Sequence, residues 1–600
     1  MNATSRRSSS EVRSSPDLLI EALSSVFRLL VVLTGIVALM YFMRRSRPIF
    51  SDSLISNYFA YYQDLSAAGL VLAIFAAIFL MRTRTPDRTR LPEINGRQIW
   101  ALAALTTAFC YAGTYWLFGN YGLSMDEFMA GFDAKIIGHG YLFAPVAARW
   151  SDYLDALQPI FLMKAPGHLA WSSSYLPGNA AIRALFDMVD AALASPLLAG
   201  CSVILIWLVA RKLEPGDAEF AAVATLLFVT SSQFLIIAMT PYAMTAHLAL
   251  NLAWLWLALH DRPWSRPLAV AVSFLACGLH QMVFHPIFVA PFLLWLWLEG
   301  KKPQAVLYFL TIAAFSLFWI LYWPIGASMA LPEVGSEGTH SPAFISHAAE
   351  LASTAMQPAS IPIVFDNLIR LIVWQNPLTW VLVTAACLTF RHQPLVAWIL
   401  LAGILLTMVI LIIVLPFQGH GWGYRYLHGY LGSLALLGAF GWRAISAADK
   451  GQPSHLRVTA GLSLIASLFI LFPLHAYQAY AFERPYAEAD AMLSRVNADL
   501  IVIESDGRWY AQDLVRNDPF LRQRPLRLLA SNLSAAQAEA LCHQYKVAIV
   551  GRHSAELSGL RPYGDAMELA PSYLRLLKLK KAGCGDEIDT APMSQPPAMR

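Results

Sequence analysis

From residue 24 to residue 476 the chain is a succession of apolar runs, most of them close to the length of a bilayer crossing and nearly free of charge. About 20 apolar residues in a helix cross the hydrocarbon core of a membrane. Inside hydrocarbon every backbone N–H and C=O must pair within the protein, which leaves helices as the form such runs can take. We count 13 candidate spans, near 24–43, 66–81, 98–118, 194–212, 218–236, 240–260, 266–279, 281–299, 304–324, 377–391, 395–416, 427–446 and 457–476. Only 14% of the residues are charged, against about 25% in soluble domains. The expectation is an all-α polytopic membrane protein. Its net charge of +4 gives no reason to invoke nucleic acid, because the arginines cluster at span ends.

Those clusters set an orientation. Arg82, Arg84, Arg88, Arg90 and Arg97 lie between the second and third runs, and Arg211, Lys212, Arg262, Arg266, Lys301, Lys302, Arg391, Arg443 and Lys450 lie in every second connection after that. Those connections are expected to be cytoplasmic. Arg44, Arg45 and Arg47 are the exception and fall on the other side. The N-terminal basic residues and the first run read as an uncleaved span with a cytoplasmic N-terminus. Loops 119–193 and 325–376 and the tail 477–600 are then extracytoplasmic. The expected division is 1–97, a cytoplasmic segment with two additional spans; 98–476, the main transmembrane domain; and 477–600, a small α/β domain with a disordered end.

In the tail, DLIVIES (499–505), PLRLLAS (525–531) and KVAIVGR (546–552) have strand length, and SNLSAAQAEALCHQY has a Ser N-cap. Cys542 and Cys584 lie in this polar segment and are placed to form a disulfide if it is extracytoplasmic. Cys110, Cys201, Cys277 and Cys387 lie in apolar runs as packing residues.

Four polar groups stand out. Asp126 and Glu127 follow the charge-free run Ile99–Phe118 in GLSMDEFMAGFDAKIIGHGYLF, and SSSYLPGNAAIRALF comes next. The pair either caps a helix over 125–138 or supplies a base. Asp133, seven residues on, shares a face with Asp126. QGHGWGYRYLHGYLG (418–432) carries Arg425 between Tyr424 and Tyr426. It reads as an aromatic belt with a snorkelling arginine or as a phosphate contact, since arginine offers a fork of donors. GLHQMVFHP (278–286) holds His280 and His285, whose spacing and lack of a Cys or acidic neighbour argue against zinc. TPYAMTAHLALNL (240–252) holds His247 and Asn251. Lys164, His168 and Arg183 in the first loop, and Glu333, Glu337 and His340 in loop 325–376, are weaker candidates.

An acidic pair, a short helix, a Gly turn and a Pro-Gly-led helix just after a span resemble the first extracytoplasmic loop of the GT-C glycosyltransferases, among them the protein O-mannosyltransferases and lipid A aminoarabinose transferases. The resemblance covers about 98–476. It implies a GT-C-like transmembrane domain in the bacterial inner membrane with a periplasmic C-terminal domain. It implies transfer of a sugar from a polyprenyl-phosphate donor to a lipid, glycan or protein acceptor, with inversion. Asp126 would take the acceptor proton, with Glu127 next in line. Arg425, with Tyr424 and Tyr426 beside it, would meet the leaving phosphate, helped by His280 or His285 where relatives carry lysine. His247 stands where relatives often carry Asp, which speaks against a two-carboxylate or metal-assisted mechanism. No cofactor is expected, and the sequence does not support a divalent metal. A transporter or flippase, an envelope-polysaccharide polymerase or ligase, and a catalytically silent scaffold are the other classes. Against transport stand the scarcity of charge inside the runs and the lack of paired broken helices in two similar halves.

Overall fold

The computed structural model describes residues 15–45, 58–81, 93–164, 169–260, 262–330, 361–419, 421–447, 455–504, 511–551, 580 and 585–587. It is mostly helical, with two small sheets. Among the described residues, six helices are long and apolar enough to cross a membrane: Asp17–Met40, Phe59–Met81, Ala191–Leu213, Lys302–Gly326, Leu395–Val414 and Leu456–Leu493. The helices Ile361–Val373 and Pro377–Leu388 pass the same test only together and are bent by 102° at the break between them, the form of a broken span or a re-entrant loop. Four apolar helices, Ala218–Val229, Met244–Leu259, Ser265–Cys277 and Phe284–Leu298, are shorter than a full crossing.

Two differences from the expected spans have local causes. The run 218–236 is broken at Thr230–Ser231, where the Ser231 side chain caps a new helix, Ser232–Ile237. The second break lies at Asn376, whose side chain caps the helix that Pro377 opens. The breaks meet. Ser231 Oγ donates to Gln375 Oε1 (2.8 Å), Asn376 Nδ2 to Thr230 Oγ1 (2.9 Å), and Ser463 Oγ to Asn376 Oδ1 (2.6 Å). Backbone freed inside an apolar body needs such partners. Two helix breaks that the apolar runs do not reveal therefore support each other inside the body.

The second difference is charge within the helical body. The helix expected over 66–81 begins at Phe59 with π-helical turns. It buries Asp64, which accepts from Arg370 Nε (3.0 Å) and Nη2 (2.6 Å). This pair joins the N-terminal helices to the bent pair.

The first loop forms a three-stranded antiparallel sheet, β1 (Ala144–Pro145), β2 (Leu162–Lys164) and β3 (Ala170–Ser173), in the order β1-β3-β2. The helix that starts at Leu456 runs on to Leu493, well past the expected end at 476. At 1.5 Å per residue, its 38 residues reach about 57 Å, enough to carry the chain clear of the apolar body. The tail then forms a parallel sheet, β4 (Leu500–Ile503), β5 (Leu526–Leu529), β6 (Val547–Val550) and β7 (Asp586–Glu587), in the order β5-β4-β6-β7. A helix over Ala535–Gln544 lies between β5 and β6, capped by Ser534. Cys542 is disulfide-bonded; Cys584 lies outside the described residues.

Tail and first loop share one apolar core. Met129, Phe132, Trp150, Leu157 and Trp171 of the loop are buried with Leu500, Leu526, Leu528 and Leu541 of the tail. Polar contacts fix their register: Trp171 Nε1 donates to Pro519 O (2.8 Å), Asn517 Nδ2 to Leu157 O (2.7 Å) and Asn532 Nδ2 to Asp155 O (2.8 Å).

Candidate active site

The helix Met125–Gly138 separates the two acidic neighbours. Ser124 is its N-cap, and Glu127 is the third residue of its first turn. Glu127 Oε2 accepts from Ser124 N (2.9 Å) and Oγ (3.0 Å), while Glu127 N donates back to Ser124 Oγ (3.2 Å). This is a capping box. It holds the Glu127 side chain beneath the helix start, so capping falls to Glu127 and leaves Asp126 on the neighbouring face.

Asp126 reaches across the fold. Its Oδ2 accepts from Arg425 Nη1 at 2.6 Å, and its Oδ1 accepts from the Tyr175 hydroxyl. The Arg425 and Asp126 side chains are 6% and 13% exposed, so the pair is largely out of water yet opens to it on the Asp126 side. Arg425 is itself held: Nη2 donates to Gln418 O (2.6 Å) and its backbone N–H to Gln418 Oε1 (3.1 Å). Its guanidinium lies over the rings of Tyr242 (4.8 Å) and Tyr426 (5.2 Å). Among the described residues its Nε has no hydrogen-bond partner.

The glycine-rich approach to Arg425 is needed sterically. Gly423 has φ +64°, and a Cβ there would sit 2.6 Å from Gln233 Oε1. Gln233 in turn donates to Tyr424 O (2.9 Å) and accepts from Gln375 (3.0 Å). The meeting point of the two broken helices thereby supports the loop that aims Arg425.

Burial raises the Asp126 carboxyl. The charge of Arg425, the field of His280 and the bonds from Tyr175 and Arg425 outweigh it, so the group is held below the usual carboxylate range. Burial pushes His280 down to about 4, with Asp126 opposing and Arg425 adding to the shift. His280 is then neutral at pH 7, stacked on Tyr175 at 4.0 Å. It borders the site as a neutral polar ring.

No protein-family model matches the chain, and no curated protein matches it in sequence. Among solved structures it is similar to the crystal structure of ArnT from Cupriavidus metallidurans bound to undecaprenyl phosphate, with 12% identity, 76% of this chain and 87% of that one covered, and a TM-score of 0.45. The apo state of the same protein gives 11%, 71%, 85% and 0.43. The Archaeoglobus fulgidus oligosaccharyltransferase tethered with an acceptor peptide gives 11%, 72%, 63% and 0.40.

The other candidates divide clearly. Tyr426 lines a small cavity with Arg425, His247, Asn251, Phe284 and Met244. His247 is buried there, and neither ring nitrogen has a hydrogen-bond partner among the described residues. Tyr424 points elsewhere, into a separate cavity with Asn367 and Pro416. His285 is enclosed, with Nδ1 at 2.8 Å from Asn251 Oδ1 and Nε2 at 3.1 Å from Ser273 Oγ. Lys164 pairs with Asp155 at 2.6 Å. Arg183 is buried, and its Nε lacks a hydrogen-bond partner among the described residues. His168, Glu333, Glu337 and His340 lie outside the described residues. Among those described, no group of three or more His, Cys, Asp and Glu is placed to hold a metal ion.

Asp133 bonds the end of β3, two residues before the Tyr175 whose hydroxyl meets Asp126. It accepts from Ser173 N (3.0 Å), Ser172 Oγ (3.1 Å) and Ser173 Oγ. It anchors β3 and so carries Tyr175 toward Asp126. Tyr175, Gln418, Gln233 and Tyr242 complete the site and were not singled out in the sequence. Tyr175 lies inside the quoted SSSYLPG motif, where a tyrosine hydroxyl beside a Pro-Gly turn was the available signal.

Two expected results follow from this division. Glu127→Gln keeps a capping box, because Gln serves at that position. Transfer by this variant should stay within the same order of magnitude as wild type in the assay described below. Burial pushes the Asp133 carboxyl up to about 6, against its bonds from Ser173 and Ser172. An acid raised in this way binds its proton more tightly folded than unfolded. Asp133 therefore takes away stability as pH rises from the unfolded value, 3.8, to about 6. Asp133→Asn keeps an acceptor for Ser173 N and removes the charge. Its melting temperature at pH 7 is expected to equal or exceed wild type.

Proposed function

We propose that this chain is a membrane glycosyltransferase that moves a sugar from a polyprenyl-phosphate carrier to a hydroxyl-bearing acceptor at the outer face of the membrane. The observation that carries this reading is the Asp126–Arg425 pair. A carboxylate and a guanidinium meet at the ends of apolar helices, beside a cavity lined by aromatic and neutral polar side chains. Sugar transfer needs these two groups. As the acceptor oxygen attacks the anomeric carbon, Asp126 Oδ2 takes its proton. The bond from that carbon to the phosphate oxygen breaks, and its electron pair stays on the phosphate. Arg425, already out of water, meets that charge where it develops. Attack opposite the leaving phosphate inverts the anomeric centre.

The pairing seen here is the resting arrangement in this mechanism. Phosphate competes with Asp126 for the guanidinium fork. As phosphate takes Arg425, Asp126 loses the charge that suppresses its basicity. Tyr175 keeps the carboxylate oriented through Oδ1.

The test is transfer in membranes holding the full chain, supplied with a panel of radiolabelled polyprenyl-phosphate sugars. The expected result is label moving from one donor to an acceptor with inverted configuration. Label that stays on every carrier would overturn the proposal.

A further inference from the structure

The start of the acidic helix is held from outside as well as by its own cap. The segment before it, 119–124, is gripped from the tail. Arg516 Nη2 donates to Leu123 O (2.8 Å) and to Gly122 O, the two carbonyls just before the Ser124 cap. Its guanidinium lies 3.8 Å over the Tyr121 ring and 5.3 Å from that of Phe128. Arg516 Nε is tied to Asp513 O (2.7 Å) within the tail, so the fork is fixed before it meets the loop. Next to it Asn517 is bonded to Leu157 O, and Pro519 accepts from Trp171.

A buried acidic side chain also lies near Arg516. Glu483 is buried on the long helix that leads into the tail, with neither carboxylate oxygen hydrogen-bonded among the described residues. It lies within electrostatic reach of both Glu127 and Arg516.

We propose that Arg516 is a positioning residue for transfer: the tail domain, through this side chain, sets the start of helix Met125–Gly138 and thereby the place of Asp126. The tail is then part of the active site's framework, not a separate binding module. This rests on Asp126 acting in the transferase function proposed above. The physical reason is leverage. Asp126 is the second residue of the helix, and its carboxylate must meet a specific hydroxyl. A displacement of about 1 Å can cost on the order of 100-fold in rate. Two hydrogen bonds at residues 122 and 123 act three to four residues from the reacting group.

The experiment compares the full chain with Arg516→Ala, Arg516→Lys and Asn532→Ala by transfer kinetics and by hydrogen exchange. Asn532 makes a tail–loop contact at Asp155, away from the helix start. Arg516→Ala is expected to lower kcat by about 10- to 100-fold while KM for the polyprenyl-phosphate donor stays in the same range, because Arg425 is untouched. Amides in 122–128 should exchange faster. Arg516→Lys, which keeps the charge but not the fork, should fall between wild type and Arg516→Ala, and it decides by the same readouts if Arg516→Ala does not fold. Asn532→Ala should change neither readout. Unchanged exchange over 122–128, an unchanged kcat, or an equal loss in Asn532→Ala would overturn the proposal. If wild type itself transfers no sugar, the transferase reading falls, and the exchange measurement alone decides whether Arg516 sets the helix start.

Discussion

Asp126→Asn is expected to lower transfer by about 10²–10⁴-fold, the usual contribution of a positioned general base. Asparagine has nearly the same shape. It keeps an oxygen for Tyr175 or Arg425 but accepts no proton at neutral pH. The contrast with Glu127→Gln makes the result specific. If the dipeptide acted only as negative charge at a helix start, the two amide variants would behave alike. The structure sets them apart, since Glu127 closes the cap while Asp126 faces Arg425. Equal activity of Asp126→Asn and wild type would remove Asp126 as the base.

The pH profile gives an independent sign. Arg425 holds the Asp126 carboxyl low in the empty site, so the acid limb of kcat/KM, which reports the free enzyme, should lie below the usual carboxylate range. Once phosphate has taken the guanidinium, Asp126 becomes a stronger base. The acid limb of kcat should then sit at higher pH than that of kcat/KM. Coincident limbs would mean that the pair does not open.

How much of this was legible in the sequence depends on the range over which each feature is determined. The helical, membrane-crossing character follows from runs of apolar residues, each a local property, and it was readable. The strands β4, β5 and β6 fall on the three apolar runs noted in the tail. The break at Thr230–Ser231 was not readable, because small hydroxyl residues are also tolerated within continuous apolar helices. Its partner at Gln375–Asn376 lies more than a hundred residues away. The division of labour between Asp126 and Glu127 was partly readable: Ser124-x-x-Glu127 is a capping-box spacing, and giving it weight would have assigned the cap to Glu127. Arg425 was conspicuous as the lone arginine of an aromatic hairpin. Its partner was not, since 299 residues separate it from Asp126 and no periodicity links them. The same holds for Arg516, one arginine among many in a polar tail. The apolar first-loop residues Trp150, Leu157 and Trp171 were the available sign that something covers this loop.

Arg425→Gln should be the most damaging change after Asp126→Asn, and for two separable reasons. The first is functional. Glutamine cannot offer phosphate a charged two-pronged donor, so kcat/KM for the donor should fall by 100-fold or more, on the order of the 2.7–4 kcal/mol that a single oxyanion donor supplies. Arg425→Lys should recover only part, since a point charge does not replace the fork and cannot reach both Asp126 and Gln418 O. The second reason is structural. Removing one partner of a buried pair leaves the other charge uncompensated, which costs about 3–5 kcal/mol. The Asp126 carboxyl in Arg425→Gln should therefore rise out of its depressed range. In wild type its low value means that the pair stabilises the fold above the unfolded carboxylate range and that this stability is lost as pH falls through the folded value. In Arg425→Gln that acid-side loss should vanish. The two effects part company in the double variant Asp126→Asn, Arg425→Gln. It carries no buried charge at this place and should melt above the Arg425→Gln single variant, with a coupling of about 0.5–3 kcal/mol. It should nevertheless transfer no sugar, because both the proton acceptor and the phosphate contact are gone. Recovery of melting temperature without recovery of transfer would show that the two side chains are coupled in the folded protein and that transfer needs the side chains themselves, not only a stable fold. Purely additive melting temperatures would show instead that the two side chains are not coupled in the folded protein, and the site as described here would have to be redrawn.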